Sequence, residues 1–291
     1  MNVLHVDISS CFTTIEQQAN PLLRGKPVVV AAYVENHGCI LASSIEAKKL
    51  GIKTGMRVGE AKTLYRNLIV LAPDPEKYRF VNRQLRTILE RYTPYVSVES
   101  IDEMVINIPN HESKMLHIAK EIKQRIKDEI GEWMMVSIGI APNRYLAKVA
   151  SGIQKPDGLV WITRENIETV LSLLKLEDLC GIKSGNATRL RASGITTPLG
   201  MFLSSPKALQ LAFRSIVGYH WWLKLHGYDV DTPKEEQKSF GQSYALGKPR
   251  TPDDPRLWQI LSQLVMKMGR RLRHDGFTAH ECFFMSLLFS Q

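Results

Sequence analysis

The chain has only four cysteines, Cys11, Cys39, Cys180 and Cys282, too far apart to form a CxxC pair or a Cys/His cluster. That excludes a zinc ribbon and a disulfide framework, so the thiols are expected to be reduced and mostly buried. No apolar run approaches a bilayer-spanning length, and the opening Met1-Asn2-Val3-Leu4-His5-Val6-Asp7 has no basic leader before an apolar core. A cytoplasmic protein without membrane contact is expected. Internal repeats and low-complexity tracts are also missing.

What remains is the composition of a globular protein. Hydrophobic residues make up 44% of the 291 positions and charged residues 23%, which supports two or more packed domains and not disorder. The formal net charge of +9 fits a polyanionic partner as readily as plain solubility.

Along the chain, Val3–Ile8 reads as a strand, with Ser9-Ser10 offering capping hydroxyls to a helix that follows. A turn at Gly25-Lys26-Pro27 feeds a buried strand over Val28–Ala32, paired with Gly38–Ala42. Ser43-Ser44 precede a short helix that stops at Gly51, and a second runs from Val58 to about Leu64. Tyr78, Val81, Leu85, Ile88 and Tyr92 recur at helical spacing as a core stripe. Tyr95–Ser100 and Met104–Ile108 form a hairpin, followed by a helix over about Glu112–Ile130, a strand over Met134–Ile140 and a helix from Arg144. This order predicts an α+β fold with an antiparallel-type sheet and helices on one face. The chain then turns helical up to Tyr228. A polar linker over 229–237 leads to a helix from about Pro255 to His274 and an apolar strand over Cys282–Phe289.

Within this frame the chemistry concentrates on acids. Asp102 and Glu103 lie in the turn Ser100-Ile101-Asp102-Glu103, and Asp7 sits near a strand end. Taken singly, each reads as an ordinary solvated carboxylate. Held together, they suit paired Mg²⁺ ions, which take oxygen ligands from carboxylates, water and substrate phosphates. Such a like-charge cluster should raise at least one carboxylate pKa.

Asp7, Phe12, Gly25-Lys26-Pro27-Val28, Glu46-Ala47-Lys48, Ser100-Ile101-Asp102-Glu103, Lys155-Pro156 and Lys238-Ser239-Phe240-Gly241 occur in the order found in the Y-family, translesion DNA polymerases, which the chain resembles over nearly its whole length. Asn36-His37-Gly38-Cys39-Ile40 and the Glu-Ala-Lys form look closer to the catalytic subunit of bacterial DNA polymerase V than to the polymerase IV type. The resemblance implies a palm over 1–24 and 72–160, small fingers over 25–71, and a helical thumb with a helix-hairpin-helix over 161–228. Residues 238–291 would start a little finger, incomplete here.

The resemblance further implies that Asp7, Asp102, Glu103 and the main-chain carbonyl of Ile8 ligate two Mg²⁺ ions, the carboxylates being catalytic. Phe12 would bar the ribose 2′-hydroxyl, although an aromatic early in a helix is also ordinary core. Lys48 and Lys155 would meet the triphosphate of an incoming dNTP, with Ile45 where many relatives have a phosphate-contacting Tyr. Cys39, Leu41 and Ala42 would roof the nascent base pair. Lys183, Arg189 and Arg191 near Leu179–Gly185, with Lys238, Lys248 and Arg250, would grip primed template DNA by its backbone, without reading sequence. Lys183 stands where the hairpin usually has a second glycine. A sliding clamp would be met through sequence beyond this chain. The expected activity is low-fidelity DNA synthesis in damage repair. The rival is a catalytically impaired homologue that acts as a DNA-binding scaffold.

Overall fold

The computed structural model describes residues 2–108, 114–230, 239–244, 246 and 250–284. Backbone contacts divide the chain into two compact units, Met1–Asp231 and Thr232–Gln291.

The first unit is organised around β1 (Val3–Ile8), every residue of which is buried. The helix α1 (Cys11–Ala19) follows at once, then β2 (Val28–Ala31), β3 (Ile40–Ser43), α2 (Ile45–Lys49), α3 (Val58–Leu64) and β4 (Ile69–Leu71). After α4 (Pro75–Glu90) come β5 (Val96–Val98), β6 (Glu103–Asn107), α5 (Met115–Glu129), β7 (Val136–Ala141), α6 (Arg144–Ile153) and β8 (Leu159–Trp161). Helices α7 (Ile167–Ser172), α8 (Ser184–Ala192), α9 (Pro198–Leu203), α10 (Pro206–Phe213) and α11 (Val217–Leu225) complete it.

The main sheet runs β5-β6-β1-β7-β8, so β1 is central and bonded on both edges. Its pairing with β6 and β7 is antiparallel, as expected, but β8 lies parallel to β7. The crossover through α6 explains this, because a parallel return needs a long connection. In the smaller sheet, β3-β2-β4, strand β4 is likewise parallel to β2. Both parallel strands are apolar triplets, too short to show an alternating pattern.

Helices cover both faces of the main sheet, not one. Leu4, Val6 and Ile8 point into a core with α1, α4 and α5, built by the predicted stripe Tyr78, Val81, Leu85 and Ile88. Val3 and Val105 point the other way, into a core shared with α6 and the helical segment after it. The antiparallel ladder alternates side chains between faces, so one strand serves both cores. A third core lies under the small sheet, around Val29, Ile40, Ala47 and Val58.

Local signals acted as the sequence implied at several ends. Ser44 caps α2 by accepting from the Ala47 N–H at 3.2 Å, and Gly51 takes the left-handed φ of +82° that stops it. Ser10 does not cap α1: it sits at φ 52°, ψ 43°, with no side-chain cap bond. Only Cys11 of the thiols is buried; Cys39 and Cys282 are exposed and Cys180 is half-covered.

In the second unit, α12 (Pro255–His274) occupies the predicted span. Cys282, Phe283 and Phe284 form no strand, and the rest of that expected strand lies outside the described residues, as does most of the 229–237 linker. Among the described residues, no helix is long and apolar enough to cross a membrane.

Gly139 fixes how α6 seats on the sheet. A Cβ there would come within 2.0 Å of the Ala147 carbonyl oxygen and 2.4 Å of the Ser151 nitrogen, both backbone atoms of α6. Gly139→Ala should therefore lift the helix and cost about 3 kcal/mol, the upper end for overpacking, read as a lower urea midpoint at an unchanged m-value.

Candidate active site

Strand register assembles the acids. Asp7 stands opposite Glu103 in the β1–β6 pairing, and the Ile8 N–H donates to the Asp102 carbonyl at 2.9 Å. The intervening turn is tied by Ser100. Its hydroxyl donates to Asp102 Oδ1 at 2.5 Å and accepts from the Glu103 N–H at 3.1 Å. From α4, Asn82 Nδ2 donates to the Ser100 and Ile101 carbonyls at 3.3 and 2.9 Å.

A cavity of about 210 Å³ opens beside these strand ends. Asp7, Ile8, Asp102 and Lys155 line one part of it, and Phe12 comes from α1. Leu41, Ala42 and Lys48 reach it from the small sheet and its helix. Eight of the predicted residues thus share one cavity. Cys39 is not among them: it is exposed and bridges Arg57 instead. Glu103 adjoins the site but turns to Lys148, whose Nζ donates to Oε2 at 2.7 Å.

Cations match the acids. Lys155 Nζ donates to Asp7 Oδ2 at 2.6 Å, and Lys48 Nζ donates to Ser10 Oγ at 2.8 Å. Burial raises the Asp7 pKa above the ordinary carboxylate value; Lys155 opposes this, and the charges of Glu103 and Asp102 add to it. The expected rise occurs, with desolvation leading and like-charge repulsion behind. The Lys48 pKa is lowered, by desolvation first and the Lys155 charge second, although the residue as a whole is exposed. Burial works against the Lys148 ammonium as well, yet its bond to Glu103 leaves its pKa raised. On β1, His5 is pushed down to about 4 by burial and then by Lys148 and Lys155, while its Nδ1 meets Ser151 Oγ at 3.0 Å.

Phe12 serves as wall and as packing at once. Its ring lines the cavity and stacks on Tyr78, centroids 4.4 Å apart and 12° from parallel. Behind it, the Tyr78 hydroxyl donates to Glu16 Oε1 at 3.0 Å, and Lys77 Nζ donates to Glu16 Oε2 at 2.7 Å.

Among the described residues, no three His, Cys, Asp or Glu side chains are grouped closely enough to hold a metal as they stand. The donor set still suits a hard divalent cation, because Asp7, Asp102 and Glu103 offer oxygen alone at adjoining strand ends.

The impB/mucB/samB family pattern matches residues 6–152. DNA polymerase IV 1 of Bacillus subtilis (strain 168) is 33% identical over 97% of this chain and 69% of its own length. DNA polymerase IV of Alkalilimnicola ehrlichii is 31% identical over 94% and 78%. Among solved structures, a Y-family DNA polymerase chimera of Dbh and Dpo4 aligns with a TM-score of 0.82 at 26% identity, over 93% of this chain and 80% of that one. The insertion ternary complex of Dbh DNA polymerase gives 0.73 at 25% identity over the same shares.

The chain belongs to the Y-family DNA polymerases. Membership makes it a DNA-directed DNA polymerase of the translesion class, with the palm, fingers and thumb architecture of that family. Both of these relatives are named polymerase IV, and the likeness of the segments at 36–40 and 46–48 to polymerase V is an expectation from sequence.

For this Y-family polymerase the residues expected to grip the duplex are less gathered. Lys183, Arg189 and Arg191 are exposed at either end of α8, but Arg191 Nη2 donates to both Glu177 carboxylate oxygens at 2.7 and 2.9 Å. Arg250 is held by Asp254 at 2.6 Å. Lys238 and Lys248 lie outside the described residues. Lys148 and the Tyr78–Glu16 support carry no motif in the sequence: Lys148 meets Glu103 only through folding, and Tyr78 falls in the helical core stripe.

Tyr78→Phe should keep the stack on Phe12 but lose the bond to Glu16. A destabilisation of about 1–2 kcal/mol in urea is expected, since the lost bond is to a carboxyl oxygen and the Glu16 side chain keeps Lys77.

Proposed function

We propose that this chain extends a primed DNA template with dNTPs during translesion synthesis, by nucleotidyl transfer assisted by two Mg²⁺ ions. The placing of Asp7 and Asp102 on one cavity, with Glu103 in register across the strand, carries this reading. Asp7, Asp102, Glu103 and the Ile8 carbonyl would hold the ions. When bound, the metals would activate the primer 3′-hydroxyl and stabilise the charge developing on the α-phosphate and leaving pyrophosphate.

The protein's own share is positioning and charge complementarity. Lys48 and Lys155 bring two ammonium groups to the cavity, close enough that the charge of Lys155 depresses the Lys48 pKa. A polyphosphate between them would relieve that repulsion, with each lysine acting as a compact point charge. The Phe12 ring, braced by Tyr78, would leave no space for a 2′-oxygen. Leu41, 39% exposed, and Ala42, 9% exposed, give a small and open cover suited to an imperfect base pair. Lys183 and Arg189 would meet the duplex backbone. The scaffold alternative is disfavoured because the chain keeps all three carboxylates.

Asp102→Ala should reduce primer extension by at least about 10³-fold, as loss of a metal-holding group should. Duplex binding, measured by fluorescence anisotropy, should change less than about two-fold, because backbone grip comes from cations and N–H donors and not from a carboxylate. Extension at the wild-type rate would remove the assignment. Phe12→Ala should retain dNTP insertion and raise ribonucleotide incorporation by about 10²-fold or more, scored in single-nucleotide insertion assays; the swing corresponds to about 3 kcal/mol of lost steric discrimination.

A further inference from the structure

Two of the proposed metal-holding carboxylates already possess a cation of their own. Asp7 accepts from Lys155 at 2.6 Å and Glu103 from Lys148 at 2.7 Å. The acids are the covered members of these pairs. The Asp7 and Glu103 side chains are 8% and 18% exposed, against 41% and 40% for Lys155 and Lys148. Strand pairing fixes the acids, whereas the ammonium groups ride on flexible four-carbon stems that can swing toward solvent or an anion.

The two pairs differ in what they can sense. Lys155 lines the cavity beside Lys48, where an anionic ligand would be drawn. Lys148 projects from α6 and does not line it. An oxygen that accepts a short charged hydrogen bond has lost that lone pair to an incoming ion, and an ammonium group nearby also repels it.

We infer that Lys155 and Lys148 compete internally for the divalent-ion ligands: a nucleotide triphosphate draws Lys155 off Asp7, and Lys148 holds Glu103 whether or not nucleotide is present. Of the two lysines, Lys155 alone thereby couples divalent-ion binding to nucleotide binding, in addition to any phosphate oxygens the ions share. This rests on the polymerase-centre reading and adds to it an order of events, in which Asp7 becomes fully available only once a triphosphate has engaged the cavity.

The test is Mn²⁺ binding to the whole chain, followed by the loss of the free-ion electron paramagnetic resonance signal. It is run without and with a saturating, non-reactive α,β-imido deoxynucleoside triphosphate. Lys155→Met should tighten nucleotide-free Mn²⁺ binding about five-fold, equivalent to about 1 kcal/mol of released ion pair. It should also narrow the difference between the two conditions by the same factor. Lys148→Met should tighten binding in both conditions and leave that difference unchanged. Lys155→Arg keeps both charge and partner, so it should not tighten binding at all. Lys155→Gln replaces the methionine variant if circular dichroism shows early melting.

Failure of Lys155→Met or Lys155→Gln to tighten nucleotide-free binding overturns the inference, whatever Lys148→Met does. Tightening by Lys155→Arg overturns it too. Mn²⁺ binding that survives Asp102→Ala undiminished overturns instead the underlying reading of the site, which separates the two failures.

Discussion

Negative charge gathered at the end of a buried strand is the constraint on which this molecule's architecture turns. Asp7 is 6% exposed and lies across from Glu103, with Asp102 one hydrogen-bonded step away. Such a cluster is unfavourable twice over, through lost hydration and through mutual repulsion. The fold answers by making β1 the centre of the sheet, bonded on both edges, so that the backbone holds the acids in place. It then runs α6 and the loop after it past the same strand end, supplying Lys148 and Lys155. The close seat of α6 over Gly139 and the cap at Asn143 are therefore part of the site's chemistry. Asn143 accepts from the Leu146 N–H and donates from Nδ2 to the Lys224 and Tyr228 carbonyls at 2.8 Å, which also anchors α11.

The same geometry explains why the cations are lysines with modest exposure. A guanidinium would grip a carboxylate through a rigid fork. An ammonium on a mobile stem can hold one partner and be surrendered to another. The site thus stays folded as a set of ion pairs while keeping its acids exchangeable. His5, uncharged near neutral pH because burial and the two lysines depress it, adds no further positive charge beneath them.

Much of this could be read from the residues, for physical reasons that differ between elements. β1, α2, α3, α4, α6 and α12 were evident because each carries a dense local signal: an unbroken apolar run, a Ser44 cap with a Gly51 stop, or a helical stripe. β4 and β8 were not, since three apolar residues in a parallel pairing have no period and depend on a distant partner. The two-sided cover of the sheet was hidden for a related reason, because Val3 and Leu4 look alike in a run that is apolar on both faces. At the site, position within motifs located the acids, Lys48 and Lys155. Their pairing partners could not be found that way: Lys148 meets Glu103 only through the packing of α6, and Ser10 adopts a left-handed backbone that its residue type does not announce. Cys39 shows the converse. Its neighbour Leu41 lines the cavity, yet Cys39 itself lies in an isolated bridge to Arg57.

Floor and cover of the cavity are built to different tolerances. On the floor, Phe12 is locked by a stacked ring, and that ring by a hydroxyl bonded to an ion-paired glutamate, so displacing it disturbs the core shared by α1, α4 and the sheet. The opposite side comes from the small sheet and the segment after it, which have a separate small core, and contributes Leu41, Ala42, Ser43, Lys48 and Thr54 to the lining. Gln17 joins the two, its Nε2 reaching the Leu23 and Lys26 carbonyls and Glu46 from the buried side of α1. On the proposed reading, rigid packing would lie beneath the sugar and the small-sheet side above the base, which would separate two kinds of discrimination. A packed aromatic wall rejects an added atom by steric overlap, whereas a cover with few contacts has little with which to reject a misshapen base. A polymerase that copies damaged templates while keeping to deoxyribonucleotides needs that division, and under the proposed roles it would fall along the boundary between two hydrophobic cores.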